Sequence, residues 1–82
     1  MKNLVKNYAL NLTTSDVLKY ASKENIELTN DEANLIVKTI KENVDYILDG
    51  NEVEVLDSIK DNLSSNVYNY IVTLINKYSK FI

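Results

Sequence analysis

The chain has 82 residues, with nine lysines against twelve acidic side chains, and a formal net charge of −3. It contains one glycine and no cysteine, histidine, arginine or proline. These absences exclude a disulfide framework, a zinc finger, thiol or imidazole catalysis and an arginine clamp on phosphate. The length and the 45% hydrophobic content are typical of one small folded domain.

No apolar segment of signal-peptide character follows Met1. The longest run without a charge, Leu63–Asn76, is broken by serine, asparagine and threonine. It falls short of the roughly 20 apolar residues that a spanning helix needs. We therefore expect a cytoplasmic protein without a membrane segment.

Hydrophobic periodicity is helical along nearly the whole chain, which predicts an all-α fold. We expect a single domain over residues 1–82, a compact bundle or array of four or five short helices with the C-terminal helix central. The first helix is predicted over 2–10, where Leu4, Val5 and Tyr8 share a face.

Two successive helix starts have the same pattern. Thr13 is followed three residues later by Asp16, and Thr29 by Glu32, which is the spacing of a capping box. The second helix should end near residues 24–25, and the third should carry its apolar stripe from Ala33 onward.

The end of the third helix has two interpretations. The helix could continue through Leu48 with Gly50 as its left-handed C-terminal residue. It could also stop near Asn43, followed by a short extended piece over 44–48.

The fourth helix is predicted over 51–63, with Asn51 and Glu54 at capping-box spacing. The fifth follows Ser64 and Ser65 and runs to the C-terminus.

Charge is unevenly distributed. Residues 1–23 hold four lysines and one acid, residues 24–62 hold eleven acids and three lysines, and residues 63–82 hold two lysines. The acidic middle could face a basic partner or the basic ends of a second copy. A solvated surface that maintains solubility is the simpler interpretation.

The sequence does not favour a metal site, a cofactor or an enzyme. Asp45, Asp49 and Gly50 have the spacing of a calcium loop, but Ile47 and Leu56 stand where the loop needs oxygen ligands. The carboxylates form no recognisable catalytic pair, and the serines have no histidine partner.

The helix–turn–helix pattern over residues 13–43 raises the possibility of nucleic-acid binding. Asp31 and Glu32 would open the reading helix and repel phosphates, so we expect nucleic acid to be an improbable partner. The lysines that would support this alternative are Lys2, Lys6, Lys19 and Lys23.

The last helix is apolar over more than one face, which is typical of a central helix or of one that a partner covers. On that basis the candidate partner contacts are Tyr68, Val72, Phe81 and Ile82. The predicted function is a protein–protein interaction module with an unknown partner or with itself as a homodimer. The alternative is a nucleic-acid-associated regulator that uses residues 13–43.

One segment also resembles a known family. The pattern Leu12-Thr13-x-x-Asp16-Val17-Leu18-x-Tyr20, followed by Ile26-x-Leu28-Thr29-x-x-Glu32-Ala33-x-x-Ile36-Val37, is similar to a small uncharacterised family of Bacilli, domain of unknown function 2624. The resemblance implies a small helical protein of a low-GC Gram-positive bacterium. It implies no activity and no catalytic or binding residue.

Overall fold

A computed structural model describes the backbone of residues 2–79 and the side chains of residues 3–76. Every regular element in this part of the chain is helical, so the predicted all-α class is confirmed. The elements are α1 (Lys2–Leu10), α2 (Thr14–Lys23), α3 (Asn30–Glu42), the single turn α4 (Val44–Tyr46), a π-helical turn (Ile47–Asn51), α5 (Glu52–Asp57), a 3-10 turn (Lys60–Asn62) and α6 (Ser65–Ser79).

Both predicted capping boxes form. The Thr13 hydroxyl accepts from the Asp16 N–H at 3.1 Å, and the Asp16 carboxylate accepts from the Thr13 N–H at 3.1 Å. Thr29 and Glu32 make the same reciprocal pair at the start of α3. These local bonds satisfy amides that the first helical turn leaves free, which explains why both starts are readable from sequence.

Neither interpretation of the end of the third helix is correct. The helix ends at Glu42, and Asn43 has φ −123° and ψ 18°. Its side-chain amide donates to the Thr39 carbonyl at 2.8 Å, which replaces a helical bond and bends the chain. Residues 44–48 then resume as helix rather than as an extended piece. Gly50 has the expected left-handed backbone, with φ +96°.

The fourth predicted helix is shorter than expected, and its capping box is wrong. Asn51 makes no side-chain cap. Its amide instead donates to the Tyr46 carbonyl at 3.2 Å, and the Glu54 carboxylate accepts from the Tyr46 hydroxyl. The helix ends at Asp57, where the Ser58 hydroxyl donates back to the Val55 carbonyl. The resulting bend allows Ile59 to enter the interior.

The core lies where α2, α3, α5 and α6 meet. Val67 and Ile71 of α6 are 0% and 1% exposed, in line with the inner position predicted for the last helix. The main cluster of buried side chains consists of Leu12, Val17, Ala33, Ile36, Val37, Leu56, Val67, Ile71 and Ile75. Helix α1 contributes none of them.

Candidate interaction surface around helix α1

Helix α1 packs more loosely than the other long helices. None of its described side chains is fully buried, whereas α2, α3 and α6 each contribute at least two buried residues. Leu4 is 73% exposed, Tyr8 48% and Leu10 44%. Val5 and Ala9, on the inner face, are half-buried. The helix is amphipathic but does not complete its own burial.

An apolar cavity of about 100 Å³ lies beneath this helix. It is partly open to solvent, and its walls are almost entirely apolar. We call it the α1 groove. Its walls are Val5, Tyr8, Ala9, Leu12, Tyr20, Ile40, Val44, Ile47, Leu48, Leu74 and Ile75. The groove therefore lies between α1, the end of α3, the 44–48 segment and the second half of α6.

Few specific contacts hold α1 in place. The Lys6 ammonium pairs with the Asp45 carboxylate at 2.9 Å, and both side chains remain substantially exposed. The hydroxyls of Tyr8 and Tyr20 are hydrogen-bonded to each other. An exposed ion pair contributes little to stability, about 0–1 kcal/mol. The buried side chain nearest to α1 is Leu12, just beyond the helix.

The acidic middle of the chain forms the surface on the other side of the Lys6–Asp45 pair. Asp45, Asp49, Glu54 and Asp57 are all exposed. Two of them accept tyrosine hydroxyls: Asp57 from Tyr68 at 2.9 Å, and Glu54 as described above. These hydrogen bonds to carboxylates raise the pKa of Tyr68 and of Tyr46, because ionising either phenol would place two negative charges together.

The predicted partner contacts separate into two groups. Tyr68 and Val72 are half-buried and pack against the core. Tyr68 is also held by Asp57, and the Lys60 ammonium lies 5.2 Å from its ring centroid, a cation–π distance. This flank of α6 is thus largely covered by the chain itself. Phe81 and Ile82 lie outside the described residues.

Sequence reasoning missed the α1 groove. Its apolar walls come from four separate parts of the chain, and each residue fits an ordinary helical stripe. The available signal was the apolar character of Leu4, Val5 and Tyr8 in the first helix. The pattern could not show that this face lacks a closely packed neighbour.

The helix pair over residues 13–43 forms an ordinary packed hairpin. The Thr14 hydroxyl donates to the Asn34 side-chain oxygen at 2.6 Å, which links α2 to α3. Asp31 is exposed at the start of α3, and the Glu32 carboxylate accepts from Thr29 and from the Ser64 N–H. Within the described residues, no cluster of three or more metal-ligating side chains comes together.

Fold and surface together define a small all-α protein with a solvent-accessible apolar groove. None of the described helices combines the length and the apolar character needed to cross a bilayer. The family described as "Protein of unknown function (DUF2624)" matches residues 1–79, and the chain belongs to this family. No curated protein and no solved structure gives a significant match.

Proposed function

We propose that this protein is a small protein–protein interaction module whose contact surface is α1 with the α1 groove. The observation that carries the proposal is an apolar cavity of about 100 Å³ that is open at the surface and next to exposed apolar side chains. Exposed apolar surface of this kind is characteristic of protein contacts. The cytoplasm, where we expect the protein to act, offers both other proteins and further copies of this chain.

The geometry moves the proposed contact from one end of the chain to the other. The flank of Tyr68 and Val72 is partly covered by its own neighbours, whereas Leu4 and Tyr8 are exposed beside the groove. A lysine at position 72 would disturb core packing as well as any partner contact. We therefore place the main test on α1.

The test compares Leu4→Lys with Leu10→Lys. Both replace an exposed leucine of the same helix, but the helical periodicity places Leu10 on the opposite side from the groove. Sedimentation equilibrium and capture from host lysate should show that Leu4→Lys loses the bound protein or second copy while Leu10→Lys retains it. Equal loss in both variants, or no loss in either, would refute the assignment of the surface.

Nucleic-acid binding by residues 13–43 remains the alternative, but no feature of the structure favours it over the groove. Asp31 presents an exposed carboxylate at the start of the proposed reading helix. Binding of duplex DNA that weakens steeply with salt would support this alternative against the interaction module.

A further inference from the structure

We infer that the partner of the α1 groove is a second copy of this chain and that the two copies exchange their α1 helices. This inference rests on the proposed function and specifies both its partner and its geometry. We call residues 2–12 the arm, and the rest of the described chain the body. In the exchanged dimer, the arm of each copy lies on the body of the other.

The first argument is that the arm leaves the body at low cost. It has one fully buried side chain, Leu12, and it covers a cavity rather than a filled interior. A cavity deprives its lining of dispersion contacts, so α1 is held less firmly than a helix on a close-packed core. Its one ion pair to the body, Lys6 with Asp45, is exposed to solvent.

The second argument is that the chain has a natural pivot. The amides of Asn11 and Leu12 donate to carbonyls of α1, so these residues move with the arm. Thr13 belongs to the capping box of α2 and stays with the body. A change in backbone torsion between Leu12 and Thr13 therefore releases the arm without breaking either helix.

The third argument is charge. The arm contains Lys2 and Lys6 and no acidic residue, while residues 24–62 of the body carry eleven acids and three lysines. Two acidic bodies repel each other, and a basic arm that lies across both offsets this repulsion. Exchange reproduces the Lys6–Asp45 pair between copies.

The fourth argument is burial. Leu4 and Tyr8 remain 73% and 48% exposed when the arm lies on its own body. A domain of this length buries a smaller share of its surface than a larger one does, so association is an effective way to cover such side chains. An exchanged arm keeps its original contacts and brings the second body close enough to cover Leu4 and Tyr8 as well.

The test uses the absence of native cysteine. In the Lys6→Cys/Asp45→Cys variant, a short bismaleimide can join two positions whose native head groups are 2.9 Å apart. Light-isotope and heavy-isotope chains are mixed while unfolded in urea, refolded together, cross-linked and digested. Exchange predicts that about half of the 6–45 linked peptides join a light chain to a heavy chain. Links found only within chains of one isotope would overturn the inference.

A Lys6→Cys/Asp31→Cys variant serves as the control. Asp31 lies at the opposite end of α3 from Ile40, which lines the groove, so it should form few links of either kind. Sedimentation of the unmodified protein must also show a dimer, and a monomer at all concentrations would overturn the exchange. A dimer linked only within chains would do the same but would leave the proposed interaction module intact, to be judged by the Leu4→Lys and Leu10→Lys pair.

Discussion

Glu32 joins two helix starts through one carboxylate. One of its oxygens accepts from the Thr29 N–H at 3.1 Å, and the other accepts from the Ser64 N–H at 3.0 Å. Partial burial raises the pKa of Glu32, but the hydrogen bonds from Ser64 and Thr29 outweigh this effect and hold the pKa below its ordinary value. The same residue therefore caps α3 and fastens it to the segment that precedes α6.

We predict that Glu32→Gln lowers the free energy of unfolding at neutral pH by about 1 kcal/mol, because a neutral amide accepts these hydrogen bonds less strongly. The lowered pKa means that the stabilisation is present above the unfolded-state pKa and is lost as pH falls through the folded-state pKa. Urea unfolding from neutral to acidic pH should show the variant and the native protein converging in stability. A constant difference down to the lowest pH would contradict this role.

At the level of elements, the bends at Asn43 and Gly50 decide how the middle of the chain folds. Asn43 ends α3 by bonding to the Thr39 carbonyl, and Gly50 turns the chain into α5 with φ +96°. Between these residues, Val44, Ile47 and Leu48 reach the groove. A straight α3 through Leu48 would have carried these side chains away from α1, so the groove depends on both bends.

We predict that Gly50→Ala destabilises the protein by about 1 kcal/mol, because an L side chain disfavours the left-handed region. A Cβ atom at position 50 meets nothing within 4 Å, so backbone strain is the only expected cost. Gly50→Asn is the matched control, since asparagine tolerates this conformation better. Thermal unfolding should rank the glycine protein first, the asparagine variant second and the alanine variant third, and an alanine variant as stable as the native protein would exclude this strain.

At the scale of the whole molecule, the chain is well packed except under α1. The Cα radius of gyration is 11.7 Å, the value expected of a folded domain of this length. The cavity beneath α1 is thus a local defect in an otherwise ordinary small core. In a domain of modest total stability, one such defect is sufficient to make α1 the most easily detached helix.

Filling this cavity should stabilise the protein. Ala9 is half-buried on the wall of the groove, so Ala9→Leu adds apolar volume where space exists, and we predict a gain of about 1 kcal/mol in the free energy of unfolding. Ala33→Leu is the contrasting variant, because Ala33 is 0% exposed within the packed core, and overpacking there should cost about 1–3 kcal/mol. Urea unfolding measures both, and the hydrogen-exchange protection of α1 should rise only in Ala9→Leu. A loss of stability in Ala9→Leu would show that the cavity is closed in solution.

What the sequence by itself determined about this protein is local in origin. The starts of α2 and α3 follow from Thr13 with Asp16 and from Thr29 with Glu32, because a capping box involves residues three positions apart. The all-α class and the burial of Val67 and Ile71 follow from periodicity within single helices.

Tertiary structure alone decided the rest. The side chain of Asn43 could bond to solvent, to a cap or to the Thr39 carbonyl, and the choice depends on whether Val44 gains a place in the interior. The Asn51–Glu54 box fails because Tyr46 offers both residues other partners. The α1 groove exists only where α1, the 44–48 segment and α6 meet, and a void between distant segments leaves no trace in the spacing of residues along any one of them.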